Sequence, residues 1–372
     1  MTNFNTTSSP TTQAVAFITI ASALAISITL QKSKKTMTAK AAAAAAASCD
    51  PNLPARFKVS TFDNSRSQSL FTINLPPKDE SSPPKAMLVM AHGVGEHCCR
   101  PGYVSLYESL SEAGVDVYAL DHHGHGRSGG LPRGYAEKFD DYVADILAYI
   151  RQCQGKYIDN GDACPPLFLF GQSMGGLVSV MAALQLGSDQ VGGLVLTSPA
   201  LGVDMDMMMK VQKLFAPAID KLLPKARIVD AVRPEDLSRN PQAVRAYIDD
   251  PLIDKGKVVA RTAIGMDKTF DVVKERRREI TCPILLLHGT DDRVTSSKAS
   301  LDFFRKVGSS KKRYLRLRGY YHELFEEPET IELMSSIVEF VSTGGRKFAD
   351  VDGEEEEGLV NVEFKTKHPD QQ

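Results

Sequence analysis

Ser173 stands in Gly171-Gln172-Ser173-Met174-Gly175-Gly176, directly after the apolar residues 166–170. A serine hydroxyl is a weak nucleophile at neutral pH. It attacks an acyl carbon only when a base takes its proton and a carboxylate orients that base. Both partners follow in the chain. His288-Gly289-Thr290-Asp291-Asp292-Arg293 ends one apolar run, and Tyr320-Tyr321-His322-Glu323 follows the next, residues 314–317. His322 is the candidate base, while Asp291 and Asp292 compete for the carboxylate. The order serine, acid, histidine is that of acyl transfer on an α/β sheet. Attack on an ester carbonyl also needs two donors for the oxyanion. The N–H of Met174 supplies one from the start of a helix. The N–H of Val94, in His92-Gly93-Val94-Gly95-Glu96-His97, supplies the other.

These residues need particular elements behind them. Small residues flank Ser173 because a strand-to-helix elbow leaves no room for side chains two positions away. The acid, the histidine and the Val94 loop each follow a strand-like run, where open α/β sheets bind ligands. Another such run, 115–120, leads into Asp121-His122-His123-Gly124-His125-Gly126-Arg127-Ser128. Three histidines in one tight loop lack the spacing of a metal site, so the loop is expected to brace the active site. No motif implies a metal or cofactor. Strand-like runs alternate with helical ones at 135–152, 175–186, 297–306 and 329–341. That alternation means a mostly parallel sheet with helices on both faces. The segment 204–280 breaks it and reads as a helical cap. Its stretch from Met205 to Leu223 is rich in methionine, which suits a loosely shaped acyl chain or a small helical core.

Taken in order, the Val94 loop, the Asp121 loop, the Ser173 elbow, Leu237-Ser238-Arg239-Asn240, Tyr247-Ile248-Asp249-Asp250-Pro251-Leu252, the Asp292 turn and Tyr321-His322 resemble one family. They look like the monoacylglycerol lipases and related lysophospholipases of the α/β-hydrolase superfamily, over residues 57 to 343. The resemblance implies an eight-stranded α/β-hydrolase sheet and a Ser173–His322–Asp292 triad. It selects Asp292, which directly precedes the arginine. It places the oxyanion donors on Val94 and Met174 and the head-group contacts on Glu96 and Arg100. Phe325 stands where well-known members carry a second histidine, and Thr295 where some carry a thiol.

The expected organisation is a targeting or anchor segment 1–49, a catalytic domain 50–345 and a disordered acidic tail 346–372. Residues 1–49 contain no Asp or Glu, and the apolar run from Ala14 to Leu30 precedes Lys32, Lys34 and Lys35. The run is near the lower limit for a membrane span. It reads either as an anchor with the catalytic domain on the cytosolic side or as a plastid or other organelle transit peptide. With hydrophobic residues at 42% and charged ones at 24%, the remainder is an ordinary globular domain. A net charge of −2 without a basic stripe excludes a nucleic-acid partner. Six cysteines with no Cys-x-x-Cys pair suit a reducing compartment. The expected partners are a lipid ester and a membrane surface. Acyl transfer, or hydrolysis of a non-lipid phenolic ester, remains the alternative. A His-x-x-x-x-Asp acyltransferase signature is absent.

Overall fold

The computed structural model describes residues 53–204, 216–229, 232–348, 353–356 and 358–362. The candidate anchor at 14–30 and the methionine-rich stretch 205–215 lie outside the described residues.

The apolar runs form the strands of one sheet. These are β1 (Lys58–Asp63), β2 (Ser69–Leu75), β3 (Ala86–Ala91), β4 (Val115–Leu120), β5 (Leu167–Gln172), β6 (Gly193–Thr197), β9 (Ile284–Gly289), β10 (Lys312–Leu317), β11 (Gly353–Glu356) and β12 (Leu359–Val362). Their order is β1-β2-β4-β3-β5-β6-β9-β10-β12-β11. Every neighbour pair from β4 to β12 is parallel. The central strands are apolar throughout because both faces are covered. On β5, Phe168 and Phe170 join one core and Leu167 and Leu169 the other. Helices α1 (Pro101–Glu112) and α7 (Thr330–Ser342) cover the first face through Leu106, Leu110, Ile337 and Phe340. Helices α2 (Asp140–Asn160), α3 (Met174–Leu186) and α6 (Ser297–Lys306) cover the second through Ile146, Leu177 and Phe303.

Three expectations are corrected. Among the described residues the sheet has ten strands, not eight. The added pair comes from the tail 346–372, so that tail is not disordered throughout. β12 lies parallel to β10, with Val360 and Val362 buried. Two alternating valines are enough to extend an edge, but an acidic run masks them in the sequence. The insertion between β6 and β9 also differs from a purely helical cap. It holds an antiparallel pair, β7 (Arg227–Val229) and β8 (Val258–Val259), with helix α4 (Pro241–Asp249) between them. Its last helix, α5 (Ala260–Arg276), puts Phe270 and Val273 into the core that holds Leu177.

Candidate active site

Strand β5 ends at Gln172 and α3 begins at Met174, so the whole reversal falls on Ser173. Its φ of 53° and ψ of −119° lie outside the regions open to most L-residues. Such a conformation costs about 1–3 kcal/mol and persists only where the surroundings enforce it. Here the Ser173 N–H donates to the Thr197 carbonyl at 3.1 Å, and the Ser173 carbonyl accepts from Gly176 at 2.9 Å. A methyl group on Gly175 would overlap the Ala91 carbonyl and come within 2.7 Å of that of His92. The glycine therefore lets α3 start against the end of β3.

His322 follows β10 and is 2% exposed. Its Nδ1 lies 2.8 Å from Asp292 Oδ2. Its carbonyl accepts from Gln172 Nε2 at 3.2 Å, which ties the histidine loop to the residue before Ser173. The Asp292 side chain is buried and fully engaged. Oδ1 accepts the N–H groups of Val294 at 2.7 Å and Thr295 at 3.0 Å. Oδ2 accepts the Thr295 hydroxyl at 2.9 Å and faces His288 Nε2 at 3.0 Å. Burial opposes the carboxylate charge, but the two histidines and their hydrogen bonds hold its pKa well below the usual range. Asp291 is exposed and turns to the Thr290 hydroxyl at 2.8 Å. Of the two aspartates, Asp292 is the one brought to His322.

The Val94 loop passes beside Ser173. A methyl on Gly93 would lie 3.2 Å from Ser173 Cβ and 3.2 Å from the Glu96 carboxyl carbon. Val94 follows Gly93 directly, and Met174 opens α3. The Met174 N–H comes directly after Ser173 at the start of the helix, with the helix dipole behind it. His92 anchors the loop: its Nε2 accepts from His122 N–H at 3.0 Å, and its Nδ1 bonds the Gly93 carbonyl at 2.7 Å. Asp121 braces the far side by accepting from the N–H groups of Cys98 and Arg127, each at 2.7 Å. The loop thus supports the site through the Asp121 carboxylate and the His122 N–H, while His123 stacks on Tyr142 at 4.3 Å. Glu96 and Arg100 are buried together, with Arg100 Nη1 3.2 Å from Glu96 Oε1.

A family model described as "Serine aminopeptidase, S33" matches residues 82–329. The chain is 32% identical to the monoglyceride lipase of Rattus norvegicus, over 75% of this chain and 88% of that protein. It is 31% identical to a monoacylglycerol lipase of Mycolicibacterium smegmatis, over 69% and 88% respectively. The crystal structure of the Paleococcus ferrophilus monoacylglycerol lipase superposes with a TM-score of 0.64 at 30% identity, covering 74% of this chain and 99% of that one. The chain belongs to the monoglyceride lipase family. With that membership comes its class of enzyme, a carboxylic ester hydrolase on the α/β-hydrolase fold.

Several further residues position this site, and their roles were not assigned from the sequence. His288 is fully buried and touches Asp292. Thr295, read as a replaced thiol, bonds Asp292 through both its N–H and its hydroxyl. Phe325, at the family's second-histidine position, packs its ring 6.2 Å from Tyr103. The matched runs 237–240 and 247–252 fasten the cap. The Leu237 carbonyl accepts the Glu323 N–H at 2.7 Å, beside His322. The Gly95 carbonyl accepts the Asp254 N–H at 2.8 Å. His97 Nε2 meets Asp250 Oδ2 at 2.8 Å.

The His97–Asp250 pair makes this fastening pH-dependent. Burial opposes a charged His97, but Asp250, through its hydrogen bond and charge, and Asp121 raise its pKa to about 9. The Cys99 N–H donates to Nδ1 at 3.2 Å, a contact that favours the neutral ring. A pKa raised from its unfolded value of about 6.5 gives stability that is complete below that pH and lost as pH rises through about 9. The full contribution is of order 2–4 kcal/mol. Asp250→Asn should therefore lower the urea midpoint strongly at pH 6, with the gap from wild type closing towards pH 9.5. A gap that stays constant across that range would refute the charged latch.

Proposed function

We propose that the chain hydrolyses the carboxylic ester of a single-chain glycerolipid, a monoacylglycerol or lysophospholipid, through an acyl-enzyme on Ser173. The observation that carries this is the His322–Asp292 hydrogen bond, tied through Gln172 to a strained, buried serine at the start of a helix. His322 Nε2 takes the Ser173 proton as Oγ attacks the carbonyl carbon. The oxyanion that forms is met by the N–H groups of Val94 and Met174. His322 then protonates the departing glycerol oxygen. Water enters, gives its proton to His322 and releases the fatty acid. Glu96 and Arg100 hold the head group. An aminopeptidase, the activity that the matched family description names, would need a carboxylate open to the substrate ammonium. Glu96 and Glu323 are instead both bonded to Arg100.

Among the described residues no helix is long and apolar enough to cross a membrane. We place the membrane contact in residues 1–49, whose apolar run from Ala14 to Leu30 supports it. The test is a panel of acylglycerols, lysophospholipids and p-nitrophenyl esters of increasing chain length, with released acid followed by mass spectrometry. Each methylene buried adds up to ~0.8 kcal/mol, about fourfold in kcat/KM, until the acyl site is full. Activity on acylglycerols should rise with length and then level off. A preference for acetyl or feruloyl esters would overturn the lipid reading. The chain without residues 1–49 should keep its rate on a soluble ester and leave the membrane fraction; retention there would remove the anchor.

A further inference from the structure

Behind the His322–Asp292 pair lies a second row of buried polar side chains. His288, near the end of β9, places its Nδ1 2.8 Å from Ser300 Oγ on α6. Its Nε2 lies 3.3 Å from Thr295 Oγ1 and 3.0 Å from Asp292 Oδ2. The Thr295 hydroxyl is 2.9 Å from Asp292 Oδ2 and 3.1 Å from the Ser198 carbonyl. His288, Thr295 and Ser300 are all buried.

The protons of this row can be placed one by one. A carboxylate only accepts, and a bare ring nitrogen 3.0 Å from it would be repelled, so His288 carries its proton on Nε2. In the neutral ring the Ser300 hydroxyl then donates to Nδ1. The Nε2–H donates to Thr295 Oγ1, which turns the threonine hydrogen away from the ring. Two acceptors remain for that hydrogen. Asp292 Oδ2 is the nearer and the charged one, so the hydroxyl donates there.

We propose that Thr295 is a positioning residue of the triad: its hydroxyl, aimed by His288 and Ser300, fixes the Asp292 carboxylate and takes up part of the charge that faces His322. This rests on the reading of Ser173, His322 and Asp292 as a triad. Oδ2 is also the oxygen that meets His322 Nδ1, at 2.8 Å. A second donor on that oxygen weakens its pull on the histidine, because both draw on one negative charge. His322 has to be neutral to take the Ser173 proton. Without the hydroxyl, the carboxylate favours the protonated ring more strongly, and activity sets in at higher pH.

Other titratable groups face the pair from the surrounding elements. Tyr314 of β10, with Arg316 near it, acts on Asp292, and Glu96 of the loop after β3 acts on His322. Burial raises the Tyr314 pKa and keeps the phenol neutral. Burial opposes the Glu96 charge, but Arg100 brings its pKa down to about 2. Glu323, next to His322 in the chain, is bonded to Arg100. Asp291 and Arg293, on either side of Asp292, are exposed. A substitution at Thr295 leaves all of them in place, so a change in pH profile reports the hydroxyl.

The test is the pH dependence of kcat/KM of the full chain on p-nitrophenyl butyrate, between about pH 5 and 8.5. Each profile is scaled to its own plateau, which cancels the fraction of folded enzyme. Thr295→Val keeps the side-chain shape without the hydroxyl. It should move the acid limb up by about half a unit, a loss of about threefold in relative activity on that limb. Thr295→Ser retains the donor and should superpose on wild type. Thr295→Cys, a weaker donor, should move the limb in the same direction as valine. A valine profile that superposes on wild type would overturn the inference, as would a serine profile displaced as far as that of valine. If the valine variant does not fold, a cysteine profile on the wild-type limb overturns it. Turnover that survives Asp292→Asn would instead overturn the triad reading, and this inference with it.

Discussion

Replacing Ser173 with alanine is expected to lower kcat by roughly 10⁴ to 10⁶ and to abolish labelling by a fluorophosphonate probe. The change removes one oxygen and leaves the elbow standing. Ser173 holds its neighbours through backbone groups, with its N–H on Thr197 and its carbonyl on Gly176. Alanine meets the same backbone strain as serine at this φ, so the melting temperature should stay within a few degrees of wild type. A large loss of activity with the fold retained would identify Ser173 as the nucleophile. Labelling of the alanine variant at the wild-type level would move the nucleophile elsewhere and end the acyl-enzyme mechanism.

Asp292→Asn should cost about 10⁴ in kcat, whereas Asp291→Asn should change it by no more than a few-fold. The geometry sets the sign. Asp292 Oδ1 accepts two backbone N–H groups, from Val294 and Thr295, so an asparagine must turn its carbonyl oxygen there. Its NH2 would then face His322 Nδ1, which accepts only if the ring proton sits on Nε2. That tautomer points a proton at Ser173 where a base is needed. The same NH2 would meet His288 Nε2, 3.0 Å from Oδ2 in the wild type. Asp291 is exposed and bonded to its neighbour Thr290, so its amide disturbs nothing at His322. Mild loss for Asp292→Asn with severe loss for Asp291→Asn would contradict this assignment.

How far each residue could be read depends on where its constraint lies along the chain. The strand before Ser173 and the glycines after it are consecutive, and each obeys a local rule of burial or backbone space. The elbow was therefore legible, as were the apolar strands of the sheet's centre. The choice between Asp291 and Asp292 was not legible from spacing alone. Both follow the same strand, and only resemblance to known relatives separated them. In the fold the choice comes from a hydrogen bond across 30 residues. Phe325 and Thr295 were noticed as departures, but their neighbours Tyr103 and Asp292 emerge only after folding.

The sequence by itself determined the fold class and the strand-to-helix setting of Ser173, because alternating burial and the turn after β5 are written in contiguous residues. The tertiary structure decided the rest. It drew Val360 and Val362 out of an acidic tail onto the edge of the sheet. It seated His97 on Asp250, 153 residues away. It turned Glu323 inward to Arg100 across 223 residues, where a residue beside a surface-like run of glutamates became a buried acid. A charged side chain has no periodic signature that tells whether it will face water or a partner. That depends on which opposite charge the packed core brings within reach, and on whether the solvent it loses is replaced.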